Sequence, residues 1–201
     1  MLVIAVQTES LPAGHMRWAG RRHDDDRPDA SSGDSSAELF DTVFHALHDG
    51  EQVALGFDCP LTVPVSPDQG AAAGHADADA LATLAEEAAA RPGIAELGHL
   101  LGQLGTWRPW TTVSTSLARW KANTSILLWE AVPAAGSDGV AVSAAADSFF
   151  RQFQTAAGQG TAEATAGTVV NLAAAAARRA ELLADVSELA QPAVSITVTS
   201  G

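Results

Sequence analysis

Short apolar runs that suit buried β-strands alternate along this chain with segments of helical periodicity, and this alternation constrains the fold more than any other feature. Leu2–Val6 and Val53–Phe57 are continuous apolar runs, and Ser125–Ala131 ("SILLWEA") is a third. Such runs are typical of strands that are covered on both faces. Because segments with an apolar helical stripe lie between them, the sequence predicts an α/β layered domain.

Particular residues mark several helix and strand boundaries. Residues 35–38 ("SSAE") fit a capping box, in which a hydroxyl and a carboxylate each bond an unpaired amide at the start of a helix. Gly50 is well placed to end that helix. Thr168 is a candidate cap for a long final helix over 169–190, and the run 193–198 ("AVSITV") predicts a closing strand.

The chain is long enough, at 201 residues, for one substantial hydrophobic core. Two segments interrupt the strand and helix patterns. Residues 20–36 are charged and rich in Gly, Pro and Ser, and residues 66–80 are acidic and of low complexity. We therefore expect a single domain over 1–201, with mobile loops near 20–36 and 66–80.

The charge balance is strongly acidic, with a formal net charge of −13 and only 11 Lys and Arg residues. This disfavours a nucleic-acid partner, because binding to a polyanion usually needs a basic surface. The single cysteine, Cys59, excludes an internal disulfide and a cysteine-rich zinc site. The first residues lack the pattern of a signal peptide, and no run approaches the ~20 apolar residues that span a bilayer. The sequence predicts a cytoplasmic protein with no membrane segment.

Acidic residues stand where predicted strands end. Asp58 directly follows the second apolar strand, and Pro60 prevents that strand from continuing. Glu130 lies late in the third strand, Asp147 follows in the first turns of the next helix, and Glu9 lies just beyond the first strand. In open α/β sheets, ligands bind outside the carboxyl ends of the strands. Carboxylates gathered there bind a cation or shift their pKa values.

Each of these residues also has a structural explanation. Asp58 can accept hydrogen bonds from the turn around Cys59 and Leu61, and Asp147 is favoured near a helix start by the macrodipole. Glu130 needs a partner, because an unpaired charge at the end of an apolar strand is unfavourable. The candidate partners are the basic residues of one segment: Arg108, Arg119 and Lys121. The residues alone leave both explanations open.

Three motifs in order, "LGFDCPLTVPV", "ILLWEAVPAAG" and "AADSFFRQF", resemble an uncharacterised bacterial family of ribonuclease-H-like proteins. That family is related to a predicted-nuclease group known as domain of unknown function 429. The order and spacing match from Gln52 to about Leu189. The resemblance implies a ribonuclease-H-like fold, with a mixed sheet of about five strands flanked by helices.

The resemblance also implies a metal-dependent nuclease, in which carboxylates hold Mg²⁺ or Mn²⁺ to hydrolyse a phosphodiester. Asp58, Glu130 and Asp147 match the later acidic positions of the family and are the implied metal ligands. The first strand carries Gln7 where the superfamily has an aspartate, and Glu9 shares its face by strand alternation. The alternative is a catalytically degenerate domain that acts as a binding or interaction module.

The segment "TWRPWTTVSTSLARWK" concentrates tryptophans beside cations, a combination that holds single-stranded nucleic acids by base stacking. The candidate substrate-binding residues are Arg108, Trp110, Arg119 and Lys121. The alternative is that this segment lies at the edge of the core or in an interface. Nucleic acid is thus a candidate partner that the net charge disfavours.

Overall fold

The computed structural model describes residues 1–8, 15–22, 30–64, 83, 86–87, 90, 92–105, 109–110, 126–137, 139–155, 169–182 and 186–199. The strands are β1 (Leu2–Gln7), β2 (His15–Arg22), β3 (Ala30–Ser35), β4 (Val53–Phe57), β5 (Thr62–Pro64), β6 (Pro109–Trp110), β7 (Ile126–Pro133), β8 (Val169–Asn171) and β9 (Val194–Val198). The helices are α1 (Ser36–His48), α2 (Pro92–Leu104), α3 (Val142–Thr155) and α4 (Leu172–Arg179), with a 3-10 helix over Val186–Ala190. None of the helices in these ranges is both long and apolar enough to cross a membrane.

A mixed sheet of seven strands forms the centre of the molecule, where about five were predicted. Its order is β3-β2-β1-β4-β7, and both β6 and β9 pair with the far edge of β7. Strands β1, β4 and β7 run parallel, whereas β2 is antiparallel to both of its neighbours. Strands β5 and β8 form a separate antiparallel pair.

Side chains alternate along the strands and form one core on each face of the sheet. On one face Leu55 and Leu128 are buried beneath α1, α2 and α4, and we call this the three-helix face. On the other, Ala54 and Trp129 pack beneath α3, and we call this the α3 face. The predicted α/β class is therefore confirmed.

The segment 20–36, predicted to be a loop, contains strand residues in the structure. Its first residues complete β2, and Ala30–Ser35 form β3, which pairs antiparallel with β2. The small polar residues of β3 have weak strand preference, but the neighbouring strand supplies their hydrogen bonds. The loop prediction is corrected at these positions. Residues 23–29 and the second predicted loop, 66–80, lie outside the described ranges.

The helix predicted over 169–190 is replaced by a strand, a short helix and a 3-10 turn. Strand β8 pairs with β5, with Asn171 opposite Thr62. Asn171 then caps α4, because its Oδ1 accepts a hydrogen bond from the amide of Ala174 at 2.9 Å. The valines of β8 are held by a partner strand distant in sequence, and this pairing overrides the helical pattern. By contrast, Ser35 caps α1 as predicted, accepting from the amide of Ala37.

Helix α3 also contacts the edge strand β9 through its polar side chains. Gln152 Nε2 donates to the carbonyl of Thr197, and its Oε1 accepts from the amide of the same residue at 3.2 Å. Ser148 Oγ accepts from the amide of Thr199 at 3.2 Å. The backbone amide and carbonyl of Thr197 in β9, and the amide of Thr199 just after it, are thus bonded to side chains of α3.

The indole of Trp129 packs directly on Gly56 of the neighbouring strand. The two residues are register partners of β4 and β7, and Trp129 is fully buried. A Cβ placed on Gly56 would lie 2.2 Å from Cε2 of the indole. On its other side the indole meets the ring of Phe149 from α3, with centroids 5.1 Å apart. A glycine at position 56 therefore makes room for the aromatic contact that joins α3 to the sheet.

Replacing Gly56 with alanine should destabilise the fold by about 1–3 kcal/mol, because the indole of Trp129 must move away from the added methyl group. Urea unfolding of the variant would measure this loss. The matched control is Gly102→Ala in α2, where an added Cβ has no neighbour within 4 Å. That control should be neutral or stabilising by up to about 1 kcal/mol, because alanine favours helix. Equal stability of the two variants would contradict the packing argument.

Candidate functional site

The carboxyl ends of β1 and β4 lie beside Glu130 of β7, because the three strands are parallel and in register, and β7 continues past this point to Pro133. Val6 pairs with Phe57, and Phe57 pairs with Glu130. Asp58 follows immediately, and its amide donates to the carbonyl of Val6 at 3.1 Å. The structure therefore brings Asp58 and Glu130 to one edge of the sheet. We call this edge, formed by Thr8, Asp58 and Glu130, the strand-end site.

Asp58 is bonded to the end of the neighbouring strand. Its Oδ1 accepts from the amide of Thr8 at 2.6 Å and from the hydroxyl of Thr8 at 2.8 Å. The carboxylate is half-buried, so these bonds are only partly exposed to competition from water. Asp58 thus joins the end of β1 to the end of β4. Its hydrogen-bond partner is Thr8, whereas the sequence suggests the turn around Cys59 and Leu61. Thr8, a hydroxyl residue directly after the first strand, is the sequence feature that could have predicted this partner.

Glu130 holds the turn between β4 and β5. Its Oε2 accepts from the amide of Leu61 at 3.1 Å, and the amide of Thr62 and the hydroxyl of Ser195 also bond the carboxylate. Burial raises the pKa of Glu130, and these three hydrogen bonds offset part of that effect. Its predicted partners Arg108, Arg119 and Lys121 lie outside the described ranges. Backbone amides therefore donate hydrogen bonds to the carboxylate of Glu130, for which the sequence suggests a basic side chain as partner.

The thiol of Cys59 lies beside these two carboxylates. Burial raises its pKa to about 11, a hydrogen bond with Thr8 lowers it in part, and the charges of Asp58 and Glu130 raise it further. At neutral pH the group is therefore a protonated thiol, which is a poor nucleophile.

Asp147 is bonded elsewhere on the sheet. Its Oδ1 accepts from Nη1 of Arg21 on β2. Arg21 pairs with Val3, whose partner on β4 is Ala54. Ala54 precedes Asp58 by four residues, or about 13 Å along an extended strand. The structure therefore does not bring Asp147 to the strand-end site.

The remaining candidates are described in part or lie outside the described ranges. Gln7 ends β1, and Glu9 lies beyond the described residues of that segment. Trp110 belongs to β6, where its backbone pairs with Leu127, three residues before Glu130. The side chain of Trp110 is not described.

The donor set does not fit the two-ion centre that the resemblance implies. Within the described ranges, no three His, Cys, Asp or Glu side chains are grouped so that they could hold a metal ion. Asp58 and Glu130 share an edge, but protein groups already bond both carboxylates. Asp147, the third implied ligand, pairs with an arginine. The three carboxylates are therefore better explained as structural groups.

Comparison with known proteins identifies no relative: no family model, no curated protein and no solved structure matches this chain. The resemblance to a ribonuclease-H-like family therefore stays a prediction.

The bond between Asp58 and Thr8 should contribute measurably to stability. We expect Asp58→Ala to lower the free energy of unfolding by about 1–3 kcal/mol, since it leaves the amide of Thr8 without its acceptor. Thr8→Val keeps the amide bond to Asp58 but removes the hydroxyl, with its bonds to Asp58 and Cys59, and should lose about 1 kcal/mol. A double-mutant cycle by urea unfolding would isolate the coupling between the two side chains. If the two losses of stability were strictly additive, the hydrogen bond between the Thr8 hydroxyl and Asp58 would contribute nothing to stability.

The pH dependence of stability should reveal the raised pKa of Glu130. Because its folded pKa lies above the unfolded value of about 4.5, its contribution to stability is complete below that pH. The contribution is lost as the pH rises through the folded pKa. Glutamine resembles the protonated acid and does not ionise. The stability of the native chain relative to Glu130→Gln should therefore fall as the pH rises above about 4.5.

Urea unfolding from about pH 4 to about pH 8 would measure this difference. Glu87→Gln, which changes an exposed carboxyl in the same way, is the matched control. A pH-independent difference between the native chain and Glu130→Gln would contradict the prediction.

Proposed function

We propose that this chain is a ribonuclease-H-like domain that lacks metal-dependent nuclease activity and acts as a binding or interaction module. One observation supports this most: each implied metal ligand is already bonded within the fold. Asp58 is bonded by Thr8, Glu130 by the turn after β4, and Asp147 by Arg21.

The architecture supports the fold named in the proposal. The resemblance implies a mixed sheet flanked by helices, and the described sheet is mixed, with α3 on one face and α1, α2 and α4 on the other. The motif residues that carry the resemblance occupy β4, β7 and α3. These are the elements that such a domain would use to position its carboxylates.

The chemistry of the carboxylates argues against the nuclease. Two-metal hydrolysis needs ionised ligands that converge on ions about 4 Å apart. Burial raises the pKa of Glu130, which disfavours the ionised form that a metal ligand needs. Asp147 is held by Arg21 away from the strand-end site. The net charge of −13 also repels a phosphate backbone.

The competing function is a nuclease with Mg²⁺ or Mn²⁺ at Asp58, Glu130 and Asp147, and Glu9 as a fourth ligand. A calorimetric titration with Mn²⁺ separates the two functions. We expect no saturable binding between micromolar and low-millimolar metal, and superimposable titrations for the native chain and Asp58→Asn. Saturable binding that Asp58→Asn abolishes, while the variant keeps its circular dichroism spectrum, would overturn the proposal and make nuclease assays the next step.

A further inference from the structure

A cavity of about 470 Å³ lies between β2, β3 and the first turns of α3. Its volume is within the roughly 300–1,000 Å³ that is typical of small-molecule sites. Its lining includes Ala19, Arg21, Ser31, Ser32, Ser143 and Ala146. We propose that this cavity binds a small molecule that carries a carboxylate or phosphate group.

Small residues on β2, β3 and α3 leave the space open. Ala19 of β2 and Ser32 of β3 are register partners, so their side chains share one face of the sheet. Arg21 lies two residues from Ala19 and shares that face. Ser143 and Ala146 are three residues apart on α3, so they lie on one side of the helix. Alanines at positions 19 and 146 therefore keep the cavity from being filled.

Arg21 is the charged group that can recognise an anion here. Its guanidinium donates through Nη1 to Asp147, and this is its one hydrogen bond to side chains within the described ranges. A guanidinium carries five N–H donors in a fixed plane, so further donors remain for a ligand. The side chain of Arg21 is 37% exposed, which leaves it open to the cavity. Asp147 holds the guanidinium in place and is thus a positioning residue.

The hydroxyls complete the recognition chemistry. Ser32 and Ser143 lie on opposite sides of the cavity, one on the sheet and one on the helix. A carboxylate or phosphate bonded by Arg21 has other oxygens that can accept from these hydroxyls. Asp147 already pairs with Arg21, so an incoming anion must share the positive charge of the arginine with this carboxylate. We therefore expect affinity in the high-micromolar range.

The test uses inorganic phosphate and succinate as separate probes, each titrated into the full chain and followed by amide chemical shifts. Arg21→Ala removes the charged donor, and Ala19→Leu fills the cavity while keeping the arginine and its partner. The matched control is Arg17→Ala, because Arg17 is an exposed arginine of the same strand and the same face and is not a lining residue.

We expect at least one probe to bind the native chain and Arg17→Ala saturably, with affinity about tenfold or more weaker in Arg21→Ala and Ala19→Leu. Binding of phosphate alone, succinate alone or both would identify the preferred anionic group. The proposal is overturned if neither probe binds the native chain, or if Arg17→Ala weakens binding as much as Arg21→Ala. It does not depend on the proposed loss of nuclease activity, which the Mn²⁺ titration tests at Asp58.

Discussion

Water is kept from both faces of the central parallel strands, so a polar group that is partly buried at their ends gains from a partner inside the protein. The contacts of the strand-end site follow from this constraint. Asp58 is bonded by the neighbouring strand through Thr8, and Glu130 is bonded by the turn that leaves β4. The same carboxylates that suggest catalysis in the sequence therefore stabilise the edge of the sheet.

The sequence predicts the central strands well, because β1, β4 and β7 are continuous apolar runs that only a doubly covered position can accommodate. It predicts the start of α1 from a local cap. It does not predict β3 or β8, whose residues become strand through partners elsewhere in the chain. The pairing of β8 with β5 joins Asn171 to Thr62, a contact that no local pattern encodes.

For the site, as for the fold, the sequence predicts features that depend on neighbouring residues and misses those that depend on contacts distant in the chain. Two of the four candidate carboxylates, Asp58 and Glu130, lie at one edge, because the end of β4 is in register with Glu130 of the parallel strand β7. Their roles depend on groups that residue type does not reveal, such as the backbone amide of Leu61. The partner of Asp147, Arg21, is 126 residues away in the chain. Residue types and spacing therefore located candidates without assigning what each one does.

The bonds from Gln152 to β9 affect how copies of this molecule behave toward each other. An edge strand with unsatisfied backbone groups is a template on which a second chain can add its own strand and begin to aggregate. Here the side-chain amide of Gln152 bonds the amide and the carbonyl of Thr197, as the N–H and C=O of one residue in an antiparallel neighbouring strand would. Helix α3 therefore covers part of the sheet edge as well as one face of the sheet, and Thr197 is not free to pair with a strand of a second chain.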